Sequence, residues 1–130
     1  MEVTEPVWIR EIEALAFHAQ LIALFGGSDG VRDRGLLDSA LTRPKNLFAY
    51  AERTLTMAEL AAAYAVGISS NHPFVDGNKR TGFLVAATFL ELNGAEFTAA
   101  EESVVEKTLA LAVGDLKEAG YAAWLKTNSR

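Results

Sequence analysis

The chain contains no cysteine. Disulfide frameworks, thiolate zinc sites and cysteine nucleophiles are therefore excluded, and a cytosolic setting is permitted. Histidine is nearly as scarce, with two in 130 residues, His18 and His72. Positive charge is in deficit: 12 Lys and Arg against 17 Asp and Glu give a formal charge of −5 and a pI near 5.0. A DNA or RNA footprint needs a basic face, so nucleic acid is not an expected partner. No apolar run approaches the ~18 residues of a membrane span. The start Met1-Glu2-Val3-Thr4-Glu5 is acidic where a signal peptide is basic, so a soluble cytoplasmic protein is expected. Alternating β-branched runs long enough for a strand are also missing.

Half of the residues are apolar, enough for one core, and residues 1–130 are read as a single domain. Trp8, Ile12, Leu15, Ala16, Ala19, Ile22 and Ala23 recur at helical spacing until Gly26-Gly27. His18 lies beside that stripe and is expected to be a core-edge group bonded to a backbone or carboxylate oxygen. A glycine-rich loop from Gly26 to Gly35 follows, suited to lining a cleft. Asp33 is placed to cap a short helix, Leu36 to Leu41, stopped by Pro44. Thr56 and Glu59 form a capping box opening a helix through Ile68 or Ser70, and Thr98 and Glu101 form a second one. The runs Met57 to Ile68 and Asn78 to Leu92 are apolar nearly all round, as buried helices are. Glu101, Glu102, Glu106 and Glu118 read as a solvated face. The expected fold is an all-α, compact helical bundle with Leu60, Tyr64, Ile68, Leu84, Ala87 and Leu90 at its centre.

Between the two buried runs lies the one stretch dense in chemistry, Asn71-His72-Pro73-Phe74-Val75-Asp76-Gly77-Asn78-Lys79-Arg80-Thr81-Gly82. Pro73 biases His72 toward an extended conformation in a loop, with its imidazole free to point outward. Asp76-Gly77 reads as a helix start with Asp76 at the N-cap, and glycine permits close approach of a ligand. The free N–H groups of a first helical turn, with Lys79 and Arg80 beside them, make an anion site. Asp76 is the candidate magnesium ligand, and His72 the candidate general base. Phe74 is expected to plug the loop into the core.

His72-Pro73-Phe74-Val75-Asp76-Gly77-Asn78 resembles the signature loop of the Fic/Doc family, H-P-F-x-[D/E]-G-N-G-R-x-x-R. Lys79 stands where AMP-transferring members have their second glycine, and Phe83 where they have their second arginine. The ending Asn78-Lys79-Arg80-Thr81 is similar to the Doc, or death-on-curing, branch, although Gly77 is closer to Fic. The segment from Gly26 to Pro44 also resembles the Doc type, so the likeness covers most of His18 to Gly94.

The resemblance implies a bacterial or phage-encoded toxin that transfers the γ-phosphate of ATP, with magnesium, to a threonine of translation elongation factor Tu. His72 and Asp76 would be catalytic, and Gly77, Asn78, Lys79 and Arg80 would hold the phosphates. It also implies a Phd-like or other small antitoxin whose disordered tail folds as a helix on the toxin. Transfer of AMP, and an idle Fic-fold binding module, are the alternatives. No S-x-x-x-E-[G/N] inhibitory segment is present, so restraint is expected from outside the chain.

Overall fold

The runs of Ala, Leu and Glu between the glycine-containing loops become six helices in the computed structural model, which describes residues 4–130; Met1, Glu2 and Val3 of the acidic start lie outside the described residues. They are α1 (Glu11–Phe25), α2 (Arg34–Tyr50), α3 (Met57–Asn71), α4 (Asn78–Leu92), α5 (Glu101–Ala112) and α6 (Glu118–Thr127). The described residues contain no strand, only two isolated bridges, Val31 with Phe74 and Phe97 with Ser129. No helix among them is long and apolar enough to cross a membrane.

Helix α3 is the axis, packed chiefly against α4, α2 and α6. Its small residues make this possible. A Cβ on Gly67 would lie 3.2 Å from the Cα of Ala40 on α2, and one on Gly82 of α4 would lie 3.1 Å from the Ala65 carbonyl. Backbones that close leave no room for side chains between them. Around this seam Leu60, Tyr64, Ile68, Ala87 and Leu90 are buried as expected, while Leu84 is only half-buried. Thr56 and Glu59 make both bonds of the capping box at the start of α3.

The Glu59 carboxyl is pushed down to about 2, first by the Arg53 guanidinium and then by the Thr56 N–H. Since the folded value lies below the ordinary 4.5, its stabilisation is present above that pH and is lost as pH falls toward 2. Glu59→Gln is expected to flatten the acid limb of stability across that window, read from urea midpoints at stepped pH.

Several local expectations yield to packing. Trp8 precedes α1 instead of belonging to it. Asn93 bonds both the N–H and the C=O of Val7, at 2.8 and 3.0 Å, and the Tyr64 hydroxyl accepts from Ile9 N at 3.0 Å. This extended strap lays Trp8 on Phe89 and Phe48. In α1 the buried residues are Ala14 and His18, while Ile12, Ala16, Ala19 and Ala23 of the expected stripe face solvent. That helix is apolar on nearly every side, so periodicity alone had no face to choose.

Asp33 does cap α2, accepting from Leu36 N at 2.9 Å, but the helix is not short. It runs through Pro44 to Tyr50. A proline inside a helix costs roughly 3 kcal/mol. Here burial of Leu37, Leu41 and Pro44 itself offsets it, and Arg43 next to it makes a two-point ion pair with Glu118 at 2.7 and 3.0 Å. Glu118 is thereby withdrawn from the solvated acidic face, while Glu101, Glu102 and Glu106 remain exposed. The second capping box does not form: Ala100 is the N-cap of α5, and Thr98 is turned to the chain end, its N–H and hydroxyl both donating to the Asn128 carbonyl.

Candidate active site

The signature loop spans the gap between the end of α3 and the start of α4, and its apolar residue is its root. Phe74 is buried at 1% exposure and stacks on the His18 ring, centroids 3.9 Å apart and planes 5° apart. His18, itself buried, donates from Nε2 to the Asp76 carbonyl at 2.8 Å. A carbonyl only accepts, so this nitrogen carries the hydrogen. His18 is therefore the backbone-bonded core-edge group expected, and the backbone it holds is the signature loop itself. Val75 N donates to Gly30 O at 3.0 Å, and the N–H groups of Arg32 and Asp33 both donate to Pro73 O, at 2.7 and 3.0 Å. The 26–33 loop is thus a brace for the signature loop.

Asn78 closes the loop on itself. Its Oδ1 accepts from Phe74 N and its Nδ2 donates to Phe74 O, both at 3.0 Å. This fixes the orientation of the amide, so the contact of Nδ2 with His72 Nδ1 at 3.3 Å is a donation to the ring. The neutral His72 ring in this arrangement carries its hydrogen on Nε2 and its lone pair on Nδ1, toward α4. His72 is exposed, as expected. Its backbone is not extended: it caps α3 at φ 50° and ψ 54°, the only non-glycine with positive φ among the described residues. The helix end, where the His72 N–H still reaches Ile68 O at 3.2 Å, decides this against the preference of a residue preceding proline.

The N-cap of α4 is Gly77, in the left-handed region at φ 76°, and not Asp76. No side chain caps this helix, and its first turn leaves N–H groups with no partner inside the helix beside Lys79 and Arg80, both exposed. Asp76 sits one residue earlier. Its Oδ1 accepts from Gly77 N at 2.8 Å and its Oδ2 from Ser28 N at 3.3 Å. A Cβ on Gly27 would come within 2.6 Å of Oδ2, so the glycine at position 27 is what lets the carboxylate stand there. The Arg80 guanidinium lies over the Phe25 ring, 4.6 Å from its centroid. Phe83 turns away from the anion site into an aromatic cluster with Phe97 and Trp124.

One carboxylate is a sparse metal site, and no group of three or more His, Cys, Asp or Glu is gathered among the described residues. That donor set fits magnesium, which is commonly held by one or two carboxylates together with a substrate's phosphates. His72 also lines a cleft of about 350 Å³ walled by Val66, Ser69 and Ser70 of α3 and by Leu111 and Lys117 around the α5–α6 turn. His72 therefore borders both the start of α4 and this cleft.

All six expected site residues lie on this one loop and helix start. Sequence reasoning passed over the residues that brace them: Ser28, Arg32 and Phe25. For Ser28 and Arg32 the only sequence signal was the glycine-rich 26–35 segment; Phe25, at the end of α1, had none.

A model of the Fic/DOC family matches residues 8–90. Toxin Doc of Mycolicibacterium smegmatis (strain ATCC 700084 / mc(2)155) is 43% identical over 75 residues, 58% of this chain and 58% of that protein. The chain thus spans less than two thirds of the curated relative it matches.

Proposed function

This chain belongs to the Fic/DOC family, and from that premise we propose that it is the toxin of a toxin–antitoxin pair, a cytoplasmic protein kinase that moves the γ-phosphate of ATP to a protein hydroxyl. The acceptor is a threonine of a translation factor, elongation factor Tu, and the outcome is arrested translation. A Phd-like or other small antitoxin with a helix-forming tail restrains it. One observation carries the reading: a helix N-terminus left uncapped by any side chain, flanked by Asp76, Lys79 and Arg80, with the Nδ1 lone pair of His72 facing it.

The acceptor side chain enters by the cleft beside His72. Its hydroxyl replaces the long Asn78 contact at Nδ1, and the hydroxyl oxygen attacks the γ-phosphorus as Nδ1 takes the proton. The bond from the γ-phosphorus to the bridging oxygen breaks, and ADP leaves. The first-turn N–H groups of α4, with Lys79 and Arg80, hold the phosphates in line and meet the negative charge. Asp76 is the residue that would hold magnesium, which when bound neutralises charge on the phosphates. His18 and the 26–33 brace keep Asp76 and the α4 start in register.

Lys79 and Phe83 favour γ-transfer over AMP transfer. A lysine fills the space that a glycine leaves open in AMP-transferring members, and the turn after it offers a packed phenylalanine where those proteins have a cation.

The test is incubation with magnesium, a bacterial lysate and ATP labelled at the α- or the γ-phosphate. Label is expected to pass from the γ-position to a band near the size of elongation factor Tu. Label from the α-position alone would establish AMP transfer instead. Nucleotide binding with no transfer from either would identify an idle binding module.

A further inference from the structure

We infer that Arg32 is a positioning residue for His72, holding it in the left-handed conformation that aims its ring at the start of α4. The inference rests on the reading of His72 as the base.

A left-handed, non-glycine residue is strained and persists only where its surroundings over-determine it. His72 meets the unfavourable conditions twice, having a Cβ and a proline after it. Besides the helix-end bond from His72 N to Ile68 O, one side chain opposes the strain. Arg32 Nε donates to His72 O at 2.7 Å and its Nη2 donates to Asn71 O at 2.9 Å. Both are last-turn or cap carbonyls of α3, which have no partner within the helix, and a cation at a helix C-terminus also meets the negative end of its dipole.

The main chain at the same place adds the two N–H donations to Pro73 O. Three successive carbonyls, Asn71, His72 and Pro73, are thus pinned by residues 32 and 33. The backbone bonds survive any substitution at position 32 except proline. The first two belong to the planar fork of an arginine, which a lysine cannot reproduce. From the opposite side Asn78 holds the ring at Nδ1. The imidazole is therefore fixed between a clamped backbone and a clamped amide, and the Arg32 side chain bonds only the end of α3, outside the cleft wall.

The experiment compares the full-length wild type with Arg32→Ala and Arg32→Lys by two readouts. With only two histidines, isotope-labelled protein gives one ring signal set each for His18 and His72, and the amide-to-α-proton coupling of His72 reports its φ. In Arg32→Ala the His72 coupling and ring signals are expected to move while those of His18 stay. In transfer assays kcat is expected to fall about 10²-fold, the scale of a displaced catalytic group, while KM for ATP changes by less than about twofold, because the cradle is untouched. Arg32→Lys restores little. Methylguanidinium added to Arg32→Ala restores part of the rate.

Unmoved His72 signals in Arg32→Ala would overturn the inference. So would an unchanged kcat, or a rise in KM that accounts for the whole loss. Should Arg32→Ala not fold, Arg32→Lys carries the same two readouts with the same criteria. Failure of the functional reading looks different. There the wild type transfers no phosphate, while the His72 signals still move on removing Arg32.

Discussion

His72→Ala is expected to cut γ-phosphate transfer by about 10²–10⁴-fold, the usual scale for loss of a positioned general base. The residue is exposed, and its side chain is held only by the 3.3 Å contact from Asn78. Removing the ring therefore leaves the core intact, and the urea midpoint should shift little. The nucleotide should still bind, because the α4 first turn, Lys79 and Arg80 are untouched. The measurements are single-turnover transfer with γ-labelled ATP and growth of bacteria expressing each protein. Full transfer or full toxicity from His72→Ala would remove His72 from the mechanism.

Phe74→Ala should have the largest effect on stability, a loss of about 3–5 kcal/mol, as is usual for truncating a fully buried phenylalanine. The ring makes the stack on His18, and its burial anchors the backbone that bridges to Val31 and bonds Asn78. The cavity would open beside the start of α4, where Asn78 bonds the Phe74 backbone, so affinity for nucleotide at the proposed phosphate site should fall together with stability. Chemical denaturation and nucleotide titration of the same preparation test both. A stability loss below about 1 kcal/mol would mean that the loop is not rooted through Phe74.

Much of the site was legible because its residues are neighbours in the chain. His72, Asp76, Gly77, Asn78, Lys79 and Arg80 fall within nine positions, and Asp33, Thr56 and Glu59 announced helix starts through caps that operate over three residues. Local chemistry of this kind needs no knowledge of the remaining fold. The misreadings share the opposite property. Pro44 signalled a stop that burial of α2 overrode, and Thr98 signalled a cap that the chain end claimed instead. The stripe on α1 was ambiguous because too many of its positions are apolar, and Leu84 was expected deeper than it lies for the same reason on α4.

The sequence by itself determined the all-α class, the two central helices and the chemical content of the loop between them, since helical periodicity and short-range capping are encoded residue by residue. Only the tertiary structure decided how that loop is held. The brace from Ser28 and Arg32, the ring of His18 under Phe74 and the left-handed turn at His72 join residues 40 to 58 positions apart. Their geometry follows from which helix faces pack together. Close approach of α2, α3 and α4 at Gly67 and Gly82 sets that packing, and no local pattern in the chain specifies it.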